Sequence, residues 1–413
     1  MTMHTPPVAL ALLLSMAFGA VPRLGTVAQS SGAEARVSAQ SAEIGASVDV
    51  FVGGVGTHPV YRIPAVTRLA TGPKSGRLLA FAEGRPELAD VVDNDLVLAT
   101  SDDGGATWSA PRTIAELANR SLNNPCVVEV REGAHAGRVL LVFQSYPEKH
   151  GEHHAVEGYG NDADATSADE RVCRSYIVHS DDAGATWSAP REITRSVKRP
   201  ARATSTASGP GIGIQLAHGA HRGRVLIPFN EGPFDQWRVY AASSDDGGDS
   251  WRFGEVAPND AKGLANEVQM FERADGTVVL NARQHLGAKR RKVAESRDGG
   301  MTWTALADIP ELPDPTCMGG IVALGDGRVA FTGCDSESRR ALGTLWISRD
   351  DGRTWPTAQG EGKWLIEPGG FAYSVPVALG GDAVGVLYEG AGYKRIVFRR
   401  VDLPRMHERP AAK

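Results

Sequence analysis

The sequence predicts an all-β fold, a six-bladed β-propeller built from four-stranded antiparallel blades. Two observations carry this prediction: one eight-residue phrase occurs five times, and a short apolar run after a glycine turn or its equivalent occurs six times. Helical periodicity is scarcely visible between these repeats. Four short strands in each unit of about 60 residues, repeated along the chain, are typical of propellers.

The second strand of each predicted blade is the clearest element. It is a run of four to six apolar or β-branched residues after a turn signal, which is typical of a strand. The six runs lie at 76–83, 137–144, 223–230, 276–283, 327–334 and 382–389. Another strand candidate precedes each run and a third follows it, best seen in DLVLATSDD and GTLWISRDD.

The repeated phrase, first written SDDGGATW, follows the third strand and turns the chain into the fourth. Its copies occupy 101–108, 180–187, 244–251, 296–303 and 348–355. The aspartate can accept hydrogen bonds from turn amides, the glycine permits a backbone conformation closed to other residues, and the tryptophan can pack between blades. Because strand direction alternates, this turn lies on the lower face, opposite the loop between the second and third strands. We therefore expect the five aspartates to be structural rather than catalytic.

The two ends of the chain flank the repeats. Residues 1–28 contain a mostly apolar run followed by small residues and predict a secretory signal peptide. The small, polar stretch 29–46 predicts a linker, 47–404 the propeller and 405–413 a tail. We expect the mature protein to be secreted or periplasmic, without stable membrane insertion, because the apolar run is too short to span a bilayer comfortably.

Composition and residue spacing exclude several classes of ligand. The formal net charge is −5 and no basic run tracks the chain, so nucleic acid is not an expected partner. The four cysteines, Cys126, Cys173, Cys317 and Cys334, permit either two disulfides or four buried thiols. No Cys or His group has metal-ligand spacing, and we expect neither a metal nor an organic cofactor.

Ionisable residues gather on the upper face of the predicted propeller, near its axis. They stand where first strands begin, where second strands end, or in the loops that follow: Arg62, Glu83, Arg85, Asp90, Glu267, Arg283, Arg340, Tyr373 and Glu389. Burying such charges is costly unless they pair or bind a ligand. The forked guanidinium group suits a carboxylate, so we expect an anionic ligand in this mouth.

The five phrases resemble the Asp-box repeats of the sialidase (neuraminidase) superfamily, and YRIPAV at 61–66 is similar to its arginine–isoleucine–proline motif. The likeness covers nearly all of 50–400, and the ordered set of motifs is more specific than Asp boxes alone. The resemblance implies an exo-α-sialidase that removes terminal sialic acids from glycoproteins, glycolipids and oligosaccharides.

The resemblance also implies how the mouth binds its substrate. Arg62, Arg283 and Arg340 match the three arginines that bind the sialic acid carboxylate. Glu389 matches the glutamate that holds the first of them. Arg85 is expected to bind substrate from its own position on the same rim, at the end of the second strand of blade 1. Arg339 adjoins Arg340 in the sequence, so the choice between these two stays open.

Three residues match the catalytic set of the superfamily. Tyr373 matches the nucleophile, Glu267 the glutamate paired with it, and Asp90 the acid/base, with Asp93 and Asp95 as neighbouring alternatives. A neutral tyrosine avoids repulsion with the substrate carboxylate, and sialidases are an exception to the rule of two catalytic carboxylates. The expected outcome is retaining hydrolysis through a tyrosyl-linked intermediate.

Three other functions are compatible with parts of this pattern. A non-catalytic sialic-acid-binding propeller, similar to a lectin, is the main alternative, and a structural Asp-box scaffold is another. A transglycosylating enzyme is the third, with an acceptor surface drawn from Tyr146, Tyr159, Trp237 and Tyr240, although packing is the commoner role of such residues. The joint presence of Tyr373, Glu267 and Asp90 favours the hydrolase.

Overall fold

The computed structural model describes residues 41–90, 92–147, 172–199, 205–233, 235–259 and 264–404. The predicted signal peptide, the tail and most of the linker lie outside these ranges and stay predictions, as does export. Helical structure in the described ranges amounts to single turns at Thr194–Val197 and Gly219–His221. None of the described helices is long and apolar enough to cross a membrane.

The strands are numbered in chain order, starting with β1 (Glu43–Val52). Blade 1 contains β2 (Val60–Arg68), β3 (Leu78–Arg85), β4 (Asp95–Ser101) and β5 (Arg112–Ala115). Blade 2 contains β6 (Arg120–Glu129), β7 (Val139–Pro147), β8 (Arg174–Ser180) and β9 (Arg191–Glu192). The next segment contains β10 (Thr206–Ser208), β11 (Gly211–Ile212), β12 (Ile214–Gln215), β13 (Val225–Glu231), β14 (Arg238–Ser244) and β15 (Arg252–Phe253).

The second half of the chain continues the series. Blade 4 contains β16 (Leu264–Glu272), β17 (Val278–Leu286), β18 (Arg290–Ser296) and β19 (Ala307–Pro313). Blades 5 and 6 are formed by β20 (Gly320–Gly325), β21 (Arg328–Cys334), β22 (Ala341–Ser348), β23 (Lys363–Gly380), β24 (Ala383–Gly390) and β25 (Arg395–Asp402). The all-β propeller prediction is therefore confirmed.

The blades depart from strict four-stranded sheets in two ways. In blade 3 the innermost strand is interrupted, because β10 and β12 both pair with β13 while β11 pairs in parallel with β6 of blade 2. The 18-residue β23 belongs to two blades, since its first part pairs with β22 and its second part with β24. Blades 5 and 6 are consequently joined in one seven-stranded sheet.

The outer strand of blade 6 comes from the other end of the chain. β1 pairs antiparallel with β25, from Glu43 opposite Asp402 to Val52 opposite Arg395. This pairing closes the ring and explains why blade 6 has no copy of the repeated phrase. The linker predicted for 29–46 is wrong at its end, because 43–46 already belong to β1. These residues are mostly exposed, so they lack the buried alternation that marks a strand in the sequence.

At the turn between third and fourth strands, the five Asp boxes share the hydrogen bonds of their serine and aspartate. The tryptophan indole donates to a glycine carbonyl in the first and third boxes and has no partner among the described residues in the other three. In the first box, Ser101 Oγ donates to Asp103 Oδ1 at 2.8 Å and accepts the amide of Gly105 at 2.9 Å. Asp103 also accepts the amide and the hydroxyl of Thr107, and Trp108 Nε1 donates to the carbonyl of Gly105. These bonds lower the pKa of Asp103 to about 2. The aspartate is thus fully engaged in its own turn, as the sequence predicted.

The Asp boxes also pack one blade against the preceding one. Gly105 faces the ring of Phe398 in blade 6, and the ring of Trp108 lies 5.3 Å from that same ring. The equivalent glycines Gly184, Gly248, Gly300 and Gly352 face Leu79, Leu140, Leu226 and Phe271. The repeat therefore supplies an inter-blade contact at each of these positions, and the contact between blades 1 and 6 completes the ring.

The four cysteines are buried and free. The sequence left open whether they form two disulfides or stay as four thiols, and the structure shows thiols. Two of them lie beneath the upper mouth, where Cys317 Sγ accepts the amide of Tyr373 at 3.5 Å and Cys334 donates to the carbonyl of Phe371 at 3.2 Å. They belong to the packing that holds β23 in place.

Candidate active site

The Asp boxes and the candidate site residues lie at opposite ends of the blades. In blade 1, β3 begins at Leu78, which pairs with Ser101 of the Asp box, and ends at Arg85, which pairs with Val60. Seven residues of extended strand separate the two ends by about 23 Å. The mouth that holds Arg85 is therefore distinct from the face that holds the repeated aspartates.

A repeated β-bulge turns four inner strands toward this mouth. The bulge residues have a left-handed φ although none is glycine: Ile63 at 57°, Asn124 at 55°, Glu267 at 39° and Tyr373 at 36°. Each coincides with a break in pairing to the second strand of its blade. Bulges re-aim side chains, and strained backbone concentrates at functional sites. The two residues predicted to act together, Glu267 and Tyr373, occupy the same structural position in blades 4 and 6.

The phenol of Tyr373 sits between a carboxylate and a guanidinium group. Tyr373 Oη donates to Glu267 Oε1 at 2.5 Å, and Arg283 Nη1 lies 3.3 Å from the same Oη. Arg283 also pairs with Glu267 Oε2 at 2.7 Å, while Asn266 Oδ1 accepts from Arg283 Nε at 2.8 Å. The two bulged strands thus place a phenol, the carboxylate that accepts its hydrogen bond and a guanidinium group in one cluster.

Burial raises the pKa of this phenol. The pKa of Tyr373 is raised well above its ordinary value, first by desolvation and then by the negative charge of Glu267. Arg283 and Arg340 act in the opposite direction and favour the phenolate. The proton therefore stays on Tyr373 in the free site, where Glu267 accepts the hydrogen bond of the phenol.

Arg62 is held by Glu389 across the join between blades 1 and 6. Arg62 Nε lies 2.6 Å from Glu389 Oε1, which also accepts the amide of Ile63 at 2.8 Å. Burial disfavours the charge of Arg62, but Glu389 outweighs that cost and raises its pKa. The guanidinium carbon lies 5.6 Å from the centre of the Tyr373 ring, so the arginine borders this tyrosine.

The third arginine of the cluster is Arg340 rather than its neighbour. The guanidinium carbon of Arg340 lies 5.4 Å from the centre of the Tyr373 ring, whereas Arg339 is exposed to solvent. Arg340 Nη2 donates to the carbonyl of Thr316 at 2.9 Å, and Nη1 donates to the hydroxyl of Tyr393 at 3.1 Å. The structure thus brings Arg62, Arg283 and Arg340 around one tyrosine.

A second series of ion pairs, formed by residues of blade 1, reaches the mouth. Buried Glu83 accepts from Arg85 Nε at 2.8 Å, and Arg85 Nη1 donates to Asp90 Oδ1 at 2.9 Å. The side chain of Asp90 is 65% exposed and lies 3.9 Å from Arg62 Nη1. Of the two alternatives, Asp95 pairs with His58 and Asp93 is exposed. Asp90 is therefore the aspartate of this loop that borders the arginine cluster.

Sequence reasoning missed two residues of the cluster. Tyr393 lies in the loop between the second and third strands of blade 6, the same loop position that supplies Asp90 and Arg340 in their blades. That topological equivalence is the signal that could have found it. Asn266 directly precedes Glu267, and only the pairing of Asn266 with Arg283 at the end of β17 brings the two side chains together.

The aromatic residues considered for an acceptor surface lie in the core. Tyr146, Trp237 and Tyr240 are each 2% exposed or less. Tyr240 Oη donates to the carbonyl of Val197, and its ring packs on that of Phe229. Tyr159 lies outside the described residues. The packing role, which the sequence favoured, therefore holds for the three described residues.

Metal-ligating side chains are not clustered in the described part of the chain. No group of three or more His, Cys, Asp or Glu residues there is arranged to hold an ion. The cluster at the mouth is instead an alternation of carboxylates and guanidinium groups around a phenol. Such an arrangement can bind an anion and transfer a proton to or from a tyrosine.

Fold and site together define a six-bladed propeller whose one mouth carries an arginine cluster and a tyrosine–glutamate pair. The sequence profile described as a BNR repeat-like domain matches residues 76–379. The chain belongs to this family, within the sialidase superfamily.

Similar proteins agree with this membership. The chain is 32% identical over 408 residues to the sialidase of Micromonospora viridifaciens, covering 94% of this chain and 58% of that protein. It is 27% identical to a sialidase of Bacteroides fragilis, covering 86% of this chain and 64% of that one. The chain thus spans about three fifths of the length of these relatives.

Solved structures agree with the fold. The intramolecular trans-sialidase from Ruminococcus gnavus matches with a TM-score of 0.72 at 19% identity, over 86% of this chain and 97% of that one. At this identity the likeness concerns the arrangement of the blades alone.

Proposed function

We propose that the protein is an exo-α-sialidase that hydrolyses terminal α-linked sialic acids with retention of configuration through a tyrosyl-linked intermediate. The observation that carries this proposal is the 2.5 Å contact between Tyr373 Oη and Glu267 Oε1 inside a cluster of three arginines. A carboxylate nucleophile would be repelled by the carboxylate of a sialoside, whereas a neutral phenol is not.

The first half of the reaction breaks the glycosidic bond. Arg62, Arg283 and Arg340 bind the substrate carboxylate and hold the anomeric carbon near Tyr373. Tyr373 Oη attacks that carbon while its proton passes to Glu267, and Asp90 protonates the leaving oxygen. The proton transfer neutralises Glu267 as the phenolate charge develops beside Arg283 and Arg340.

The second half returns every group to its starting state. Asp90, now a carboxylate, takes a proton from water as the water oxygen attacks the anomeric carbon. The bond from that carbon to Tyr373 Oη breaks, and Glu267 returns the proton to the phenol. Two displacements at one carbon give net retention.

The experiment is hydrolysis of a fluorogenic α-sialoside, followed by proton NMR of the first product formed from 3′-sialyllactose. We expect turnover, release of the α-anomer of the free sugar, and loss of turnover in Tyr373→Phe with binding of a sialic acid analogue retained. Binding without turnover in the parent would instead favour the lectin-like alternative. An anhydro sugar as the main product would replace hydrolysis by an intramolecular transfer, the activity named for the Ruminococcus gnavus structure.

A further inference from the structure

Tyr393 contacts two of the three arginines at once. It lies in the loop between β24 and β25, and its hydroxyl accepts from Arg340 Nη1 at 3.1 Å. Arg62 lies over the face of the same ring, with its guanidinium carbon 4.2 Å from the ring centre. This is closer than the 5.6 Å that separates Arg62 from the ring of Tyr373.

Tyr393 matters more for the orientation of Arg340 than for that of Arg62, because Arg62 already pairs with a carboxylate. Arg62 is paired with Glu389 at 2.6 Å and Arg283 with Glu267 at 2.7 Å. Within the described ranges, no carboxylate lies within 4 Å of the Arg340 guanidinium group; its hydrogen bonds go to the carbonyl of Thr316 and to Tyr393. A guanidinium group without a carboxylate partner is oriented only by such neutral acceptors.

The backbone of this loop is shaped around the tyrosine. Ala391, Gly392 and Tyr393 have consecutive left-handed φ angles of 50°, 65° and 67°. Left-handed backbone is unfavourable for alanine and more so for tyrosine, so packing must hold the loop in this form. The result is a ring that contacts Arg62 of blade 1 and Arg340 of blade 5.

We propose that Tyr393 is a positioning residue that fixes Arg62 and Arg340 in one arrangement for binding the substrate carboxylate. Its ring face holds Arg62 by a cation–π contact, and its hydroxyl orients Arg340. The inference rests on the proposed function, because it assumes that the three arginines bind a carboxylate.

The proposal predicts which kinetic constant changes when Tyr393 is replaced. The carboxylate is anchored in the bound substrate and in the transition state alike, so weakening the anchor raises KM and leaves kcat nearly unchanged. A hydrogen bond to a charged group is worth about tenfold in binding, and a cation–π contact about three- to thirtyfold.

The test compares Tyr393→Phe, which keeps the ring and removes the hydroxyl, with Tyr393→Leu, which removes both. Tyr388→Phe is the matched control, because Tyr388 is in the same blade and its hydroxyl contacts Glu367. We expect KM for an α-sialoside to rise about tenfold in the Phe variant and about a further tenfold in the Leu variant. We expect kcat to stay within about twofold and the control to match the parent.

A second readout separates this role from general packing. Inhibition is measured with an unsaturated sialic acid analogue that carries the carboxylate and with its carboxamide. The preference of the parent for the carboxylate should fall about tenfold in Tyr393→Phe and stay unchanged in Tyr388→Phe.

Two results would overturn the inference. A parent that hydrolyses sialosides, together with a Tyr393→Phe variant that keeps parental KM and carboxylate preference, removes the positioning role and leaves the proposed function intact. A parent that neither hydrolyses sialosides nor binds the analogue removes both. The melting temperature of each variant identifies any loss that comes from unfolding instead.

Discussion

At the scale of single residues, the candidate site depends on opposed charges held in a desolvated mouth. Glu389 offsets the buried charge of Arg62, Glu267 that of Arg283, and Glu83 that of Arg85. Removing water strengthens each of these interactions and makes any unpaired charge costly. The phenol of Tyr373 stays neutral in this environment, which is the state that the proposed mechanism requires of it.

Glu267→Gln tests the proton acceptor. The amide cannot take the phenolic proton, so we expect kcat for an α-sialoside to fall about 10²- to 10⁴-fold. Glu272→Gln is the matched control at the other end of β16, where Glu272 accepts the amides of Ala217 and His218. The measurement is steady-state kinetics of both variants. An unchanged kcat in Glu267→Gln would exclude Glu267 as the proton acceptor.

The raised pKa of Tyr373 predicts a stability change at alkaline pH. A phenol whose pKa is higher in the folded than in the unfolded chain contributes stability that is complete below about pH 10 and is lost as pH rises further. Relative to Tyr373→Phe, the parent should lose up to about 1.4 kcal/mol of unfolding free energy per pH unit above pH 10. Urea unfolding at pH 7, 9, 10 and 11 measures this difference, and a constant difference would contradict the shift.

Most of the site could be predicted from the sequence because its residues stand at repeated positions in the blades. Glu267, Arg283, Tyr373 and Glu389 lie where inner strands begin or second strands end. Tyr393 escaped prediction because its loop has no motif and its partners are 53 and 331 residues away along the chain. The bulges at Glu267 and Tyr373 also leave no sequence signal, since non-glycine residues rarely adopt left-handed φ.

At the scale of elements, the Asp box works as a turn and as a contact between blades. Its serine and aspartate satisfy the amides of the turn, and its glycine allows a side chain of the preceding blade to approach the backbone. The turn chemistry is local and was predictable. The blade-to-blade contact is not visible in the sequence, because the partner side chain lies in another repeat.

Gly105→Ala tests this contact, with Gly133→Ala as its control. Both glycines have left-handed φ, +94° and +92°, but a Cβ at 105 would overlap the ring of Phe398 and one at 133 would meet nothing within 4 Å. We expect the control to lose about 1–2 kcal/mol of unfolding free energy from backbone strain and Gly105→Ala to lose about 1–3 kcal/mol more. Equal losses in thermal or urea unfolding would show that the packing contributes nothing.

At the scale of the whole molecule, the propeller is closed by its two ends. Blade 6 takes three strands from the C-terminal part and its fourth from β1, so an outer strand near residue 43 seals a sheet that ends near residue 402. The number of blades followed from the repeats. The closing strand β1 could not be predicted from the repeats, because it is separated from its blade by the full length of the fold and is largely exposed.

Removing β1 tests the closure. A chain that starts at residue 53 loses buried Phe51 and leaves the edge of β25 unpaired, whereas a chain that starts at residue 41 keeps both. We expect the shorter chain to melt at least about 10 °C lower or to aggregate, and the longer one to melt within about 2 °C of the parent. Calorimetry and light scattering give the comparison; equal melting would show that β1 does not seal the ring.

The most direct measurement of the central claim is covalent trapping at Tyr373. A 3-fluoro sialosyl fluoride slows breakdown of a glycosyl intermediate, because the fluorine destabilises the cationic transition state of the second step. The account predicts that peptide mass spectrometry finds the sugar attached to the phenolic oxygen of Tyr373, with no adduct in Tyr373→Phe. An adduct on Glu267 or another residue, or none in a protein that hydrolyses sialosides, would contradict it.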